Sequence, residues 1–325
     1  MRKWYLLEIG ILVVILVAAI IACSFLATTA FSDTPPVTTT PTTTETVQES
    51  TEPQPTWMTF PSDRELTAQQ AFVYDCNREE FQYLSGTEND KVYPASITKL
   101  MTAYVALQFL EADQKITAGD ALDLVGPGSS VAEIKKGDVL TTSQLVTGLL
   151  LPSGNDAAYL LAVEAGRILK NDATLSPAQA VKVFMAEVNG QMRALGMTGS
   201  NFTNPDGYHE YEHFTCIQDL VKIGQLAVAH PVILDAVKVY EAEVALPDRT
   251  LHWENTNFLV VPGSEYECVY ALGLKTGQTP SAGSCLLSAF DVEGQKYIIG
   301  VFGCPDIPDR FEDTLQLLNN ALGIQ

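Results

Sequence analysis

The chain has 325 residues, 46% hydrophobic and 18% charged, which allows one domain of about 260 residues plus a tail. Its formal net charge is −20, which excludes nucleic acid as a partner because phosphates would be repelled. An acidic shell still leaves room for a locally basic pocket.

Met1-Arg2-Lys3 precedes an apolar run from about Ile9 to Phe31, and the next basic residue is Arg64. That asymmetry puts the N-terminus inside and the remainder outside a cytoplasmic membrane. About 22 residues at roughly 1.5 Å each span a bilayer. Three fates compete for residues 1–31. An uncleaved signal anchor is favoured, because the run exceeds a usual signal-peptide core. Cleavage after Ala30 is the second, with Thr28 and Ala30 as the flanking small residues. The third is a lipid-anchored Cys23, since Ile20-Ile21-Ala22-Cys23 resembles a lipobox. Each leaves the rest of the chain outside the membrane, or secreted if the segment is cut. Residues 32–62 are rich in Thr, Pro and Glu and cannot bury enough apolar area to repay ordering, so they read as a disordered linker, either a working tether or an inert spacer.

The globular pattern fills 63–325. Gln70–Asp75 and Glu80–Leu84 read as a strand pair with Cys76–Glu79 as their turn. Pro94 or Ala95 opens a helix whose apolar positions run to Leu110. Thr141-Thr142-Ser143-Gln144 has capping-box form and begins a helix ended by Pro152; Asn155 starts another, to about Ile168. Ser176-Pro177-Ala178-Gln179 caps a helix reaching Gly196, and Thr215-Cys216-Ile217-Gln218 has the same form. Strand-like runs at Tyr270–Thr276, Ser284–Val292 and Tyr297–Phe302 precede a final helix, Arg310–Leu322. Strands, then helices, then strands imply an α+β fold in which both ends of the chain build one sheet.

Ser96 and Lys99 are three residues apart, so on a helix their tips meet. A serine hydroxyl is inert until a base takes its proton, and a desolvated lysine can be that base. Ser153-Gly154-Asn155 lies between two helical patterns, and Lys275-Thr276-Gly277 ends a strand-like run. S-x-x-K, S-x-N and K-T-G in that order are the motif set of penicillin-binding proteins and serine β-lactamases.

The wording around these motifs resembles the low-molecular-weight penicillin-binding D-alanyl-D-alanine carboxypeptidases: Pro94 through Thr102, Leu151 through Ala158, Asn201-Phe202-Thr203-Asn204-Pro205-Asp206-Gly207, and Gly273 through Gly277. The resemblance covers about residues 66–322, one catalytic domain; the chain ends too soon for the C-terminal β-rich domain many members carry. It implies a β-lactamase/transpeptidase-like fold, a mainly antiparallel sheet packed against a helical cluster. The expected activity is removal of the terminal D-alanine from peptidoglycan pentapeptide stems through an acyl-enzyme on Ser96, with Lys99 as base and no cofactor. β-Lactams would act as acylating inhibitors. Ser153 would relay a proton to the leaving D-alanine, and Asn155 would hold both the substrate amide and the lysine. Lys275, Thr276 and Gly277 would line the carboxylate side, with the N–H groups of Ser96 and Gln278 as oxyanion donors. A β-lactamase, a DD-endopeptidase and a non-turnover penicillin-binding sensor are the alternatives. Gly154, where many class A β-lactamases carry Asp, and the lack of an evident glutamate loop speak against the first.

His209-Glu210-Tyr211-Glu212-His213 fits H-E-x-x-H, which binds zinc only from a helix. It falls in a loop before the 215–218 cap and reads as a polar surface loop, so no metal site is expected. Five cysteines lie beyond Cys23, an odd number that cannot all pair within one chain.

Overall fold

The computed structural model describes residues 58–324 apart from Ser62. The expectations for 1–31, and for the linker up to residue 57, lie outside the described residues. β1 (Gln70–Asp75) and β2 (Glu80–Leu84) form the expected hairpin. Its turn is closed by Asp75, whose buried carboxylate accepts the N–H groups of Asn77 and Arg78 at 2.9 and 3.0 Å, the Asx-turn arrangement. β3 (Lys91–Val92) leads to a 3-10 turn, Ala95–Ile97, and then to α1 (Thr98–Ala106). The helix ends four residues short of Leu110. The chain closes there in a tight turn, with Leu107 N–H on Ala103 O and Phe109 N–H on Ala106 O.

β4 (Lys115–Thr117) pairs with β5 (Val139–Thr141), and α2 (Thr142–Leu150) follows at once. Thr141 and Gln144 make the reciprocal capping box. α3 (Asn155–Lys170) and α4 (Pro177–Ala194) follow, the latter under a second capping box from Ser176 and Gln179. Two boxes thus satisfy orphan N–H groups where the sequence places them.

The third expected box is corrected. Thr215 belongs to β6 (Thr215–Cys216), paired with β3, and α5 (Ile217–Ala229) starts on Cys216 without a side-chain cap. The Thr215 hydroxyl is engaged instead with that of Ser200, 2.7 Å away. α6 (Pro231–Lys238) and a hairpin of β7 (Glu241–Ala245) and β8 (Thr250–Glu254) complete the middle of the chain.

β9 (Ala271–Thr279), β10 (Gly283–Val292) and β11 (Gln295–Cys304) precede α7 (Ile307–Leu322). The main sheet runs β2-β1-β11-β10-β9, antiparallel throughout. Chain start and chain end therefore meet at β1 against β11. Alternation sorts the sheet's two faces: Leu287 and Ala289 join the core shared with α1 to α5, whereas Leu286 and Phe290 pack toward Phe311, Leu315 and Leu318 of α7. With both faces covered, β10 and β11 are almost wholly buried, which is why they read as continuous apolar runs. Asp313 of α7 is fully buried and binds the preceding chain: it accepts Thr67 N–H and Ala68 N–H at 2.8 Å and pairs with Arg64 at 2.8 Å. Among the described residues no single helix is long and apolar enough to cross a membrane.

Candidate active site

Pro94 caps the 3-10 turn that carries Ser96, and Ala95 adopts a left-handed φ of +47°, a conformation that costs a residue bearing a β-carbon. α1 then places Lys99 beneath Ser96. Lys99 is fully buried, and its Nζ donates to Ser96 Oγ at 2.8 Å and to the Asp206 carbonyl at 2.7 Å. Burial pushes its pKa down to about 8, partly opposed by the Asp206 and Asp156 carboxylates. An amine this close to a hydroxyl, and this ready to lose a proton, can serve as its base.

The loop Asn204–Gly207 backs this pair. Gly207 has φ +82°, and a β-carbon there would overlap the Ala95 carbonyl and lie 2.9 Å from Ser96 N. Only glycine lets the loop come so near. Gly277 meets the same peptide from the sheet side, where an added β-carbon would lie 2.9 Å from Pro94 O and 3.3 Å from Ser96 N. β9 is thereby held against the turn bearing Ser96.

Two adjoining cavities, about 580 and 510 Å³, meet at Ser96. The first is lined by Ser153, Thr256, Thr276, Gly277, Gln278 and Arg310 among others. Lys275 lies under its floor, 1% exposed, with Nζ 3.2 Å from the Thr276 carbonyl and 3.3 Å from its hydroxyl. Burial holds its pKa well below the ordinary value, and the Lys99 and Arg310 cations lower it further. Thr256 and Thr276 join hydroxyls at 2.7 Å. Arg310 is buried over the Phe311 ring with Nε unpaired among the described residues, and burial lowers its pKa to about 10. Cationic groups and paired hydroxyls converging on one concavity make a receptor for an anion.

The second cavity is lined by Ser129, Ser130, Asn155, Asp206, Tyr208, Gln278 and neighbours. Ser153, which lines the first cavity, turns the chain there with a left-handed φ of +63°. Asn155 Nδ2 donates to Ser129 Oγ at 2.8 Å and, among the described residues, its Oδ1 has no partner. Among the described residues the hydrogen-bond partners of the Lys99 amine are Ser96 and Asp206, so the expectation that Asn155 holds the lysine is not met by a direct hydrogen bond; its amide nitrogen donates to Ser129 instead. Asp156, next in the chain, accepts Ala132 N–H at 2.8 Å and Ile134 N–H at 3.0 Å, which fixes the segment carrying Ser129 and Ser130 over the cleft. Burial raises the Asp156 pKa against those donors.

Ser96, Lys99, Ser153, Asn155, Thr276, Gly277 and Gln278 thus share one cleft, with Lys275 just below. Arg310, Thr256 and the Ser129-Ser130 wall escaped the sequence reading. Arg310 sits on an amphipathic helix where one more basic residue carries no signal, and serines in a loop carry less.

His213 also departs from expectation. Residues 209–213 do form a loop, but His213 is 2% exposed and stacks on Phe202, with ring centroids 4.9 Å apart. Both of its ring nitrogens are engaged, with Thr98 and Thr203. It is an interior residue. The five cysteines of the described region are free thiols.

A family model described as Peptidase_S11, D-alanyl-D-alanine carboxypeptidase, matches residues 57–305. The D-alanyl-D-alanine carboxypeptidase of Streptomyces sp. (strain K15) is 33% identical over 239 residues, covering 70% of this chain and 78% of that protein. DacC of Escherichia coli (strain K12) is 29% identical over 242 residues, covering 72% of this chain and 56% of that protein. Among solved structures, the Streptomyces K15 DD-transpeptidase superposes with a TM-score of 0.71 at 29% identity, covering 80% of this chain and 99% of that one. Penicillin-binding protein D2 of Listeria monocytogenes, in its cefotaxime-bound form, has a TM-score of 0.65 at 25% identity, covering 80% of this chain and 99% of that one.

Proposed function

The chain belongs to the D-alanyl-D-alanine carboxypeptidase family of serine peptidases, and on that premise we propose how its own residues carry the reaction. The observation that supports the assignment most directly is the 2.8 Å contact between Ser96 Oγ and a buried Lys99 amine whose pKa is lowered to about 8. Lys99 takes the Ser96 proton as Oγ attacks the carbonyl carbon of the penultimate D-alanine. The resulting oxyanion is met by the N–H groups of Ser96 and Gln278. The C–N bond breaks, the leaving amine receives a proton by way of Ser153, and D-alanine departs. Water then attacks the ester with Lys99 again as base, restoring the Ser96 hydroxyl and releasing the shortened stem.

The leaving residue carries the free carboxylate, and the cavity that suits it is the one lined by Thr256, Thr276 and Arg310 above Lys275. The rest of the stem lies along the Ser129, Asn155 and Tyr208 side. β-Lactams acylate Ser96 in the same way. The likeness to a DD-transpeptidase supports acyl transfer to an amine as a second fate of the same intermediate.

A β-lactamase is disfavoured by packing. A β-carbon at Gly154 would sit 2.7 Å from the Asp156 carboxylate and 2.8 Å from the Ala132 side chain, so the position has no room for Asp. Residues 1–31 anchor or export the protein and the stretch from 32 acts as its tether up to Met58, since Met58 and Phe60 pack against the folded domain, so the catalytic domain works outside the cytoplasmic membrane on peptidoglycan stems. Mass spectrometry of the penicillin-treated protein tests the assignment. An adduct on Ser96, with D-alanine release from a peptide ending in D-Ala-D-Ala, is expected. An adduct elsewhere, or none, refutes it.

A further inference from the structure

The five-residue stretch that mimics a zinc motif ends in a histidine no step of the reaction uses, yet it is tied to the peptide bond that precedes Ser96. Thr203 N–H donates to His213 Nδ1 at 3.1 Å. An N–H can only donate, so Nδ1 is the acceptor and the ring proton sits on Nε2. Nε2 lies 2.8 Å from Thr98 Oγ1, which in turn donates to the Ala95 carbonyl at 2.8 Å. Each group in this chain has one direction open to it: imidazole N–H to hydroxyl, hydroxyl to carbonyl.

The Ala95 carbonyl and the Ser96 N–H belong to one planar trans unit and point in opposite directions. A carbonyl drawn toward Thr98, with Gly207 closing on it, therefore turns the Ser96 N–H the other way, toward the side where Gly277 lies near Ser96 N and where Ser96 lines both cavities. Ala95 is held at φ +47° to achieve this. Such a conformation persists only where its surroundings over-determine it. The ring is itself immobilised: it lies flat on Phe202 at an interplanar angle of 1°, and the Phe202 backbone is clamped at both N–H and C=O by Asn189.

We propose that His213 is a positioning residue, acting through Thr98 to hold the Ala95–Ser96 peptide so that the Ser96 N–H is already aimed where the oxyanion forms. Pre-aimed donors need no reorganisation at the moment of reaction, which is where their value lies. Burial, the dominant cause, lowers the His213 pKa to about 3, so the ring stays neutral and the relay keeps its direction throughout the working range.

The inference rests on Ser96 being the acylated residue, and the wild-type protein checks that first. The probe is benzylpenicillin, with the non-covalent dissociation constant and the acylation rate constant resolved by stopped flow and corrected by active-site titration. No wild-type adduct on Ser96 would overturn the assignment of the nucleophile, and this inference with it. With the adduct in place, Thr98→Val removes the central hydroxyl, and His213→Asn keeps an acceptor for Thr203 but cannot reach Thr98. Both should slow acylation about tenfold to a hundredfold while the dissociation constant stays within about twofold, since one oxyanion donor is misaimed rather than lost. Thr98→Ser, which keeps the hydroxyl, and His213→Gln, whose amide nitrogen falls near the Nε2 position, should recover most of the rate. Wild-type acylation in Thr98→Val would overturn the proposal. So would a Gln variant no faster than the Asn variant at equal thermal stability, because that pattern means packing alone.

Discussion

Lys99 Nζ and the backbone carbonyl of Asp206 lie 2.7 Å apart, so the amine is fastened to a main-chain atom contributed from more than one hundred residues away. A carbonyl accepts a hydrogen bond from an ammonium or an amine alike. Lys99 can therefore exchange its charge without losing its place, while Ser96 occupies a second of its hydrogen-bonding directions.

The pH dependence follows from that lysine. Its pKa is lowered to about 8, so the neutral, proton-accepting form grows as pH rises through 8 and is scarce well below it. Acylation by benzylpenicillin should rise about tenfold per pH unit below that point and level off above it. Stopped-flow acylation from pH 5 to 9.5 tests this, and a rate flat across that range removes Lys99 as the base. Lys99→Arg, which stays charged, should lower the plateau by at least about 10²-fold.

Ser96→Ala should abolish both the penicillin adduct and D-alanine release. The side chain is only partly buried and loses a single oxygen, so the thermal midpoint should shift by no more than about 2 °C. A variant that still binds label covalently would place the nucleophile elsewhere.

Arg310 is tested by its charge rather than its bulk. Arg310→Leu should reduce kcat/KM on a peptide ending in D-Ala-D-Ala by about 10- to 100-fold, the value of a charge-assisted contact. On the same peptide with an amidated C-terminus, wild type and variant should differ by less than about threefold. Equal losses on both substrates would mean that the helix has merely shifted.

Gly207→Ala places a β-carbon at φ +82° and into the Ala95 carbonyl. Left-handed strain of about 1–2 kcal/mol adds to the displacement of the Ser96 peptide. We expect the midpoint to fall by on the order of 5 °C, with acylation reduced beyond what the folded fraction explains. Melting curves alongside active-site titration separate the two.

Much of the architecture is visible in the residues themselves. Alternation marks β1 and β2, two S/T-x-x-Q boxes mark the starts of α2 and α4, and long apolar runs mark β10 and β11. The same pattern at Thr215 misleads because its hydroxyl is claimed by Ser200, a partner no local rule supplies. The cleft is legible where motif spacing dictates contact, as between Ser96 and Lys99. It is illegible where three distant segments must meet. His213 is buried by Phe202, Thr98 and Thr203 together, and the left-handed turns at Ala95 and Ser153 fall on residues whose identities do not announce them.

The carboxylate of Asp313 gathers Arg64, Thr67 and Ala68 onto the closing helix. The two ends of the fold are consequently stitched to each other and neither dangles. Tension applied through the chain ahead of Arg64 would load several charge-assisted bonds in parallel before it could peel β1 off β11 one rung at a time. The enzyme would remain intact under traction that unzips an ordinary edge.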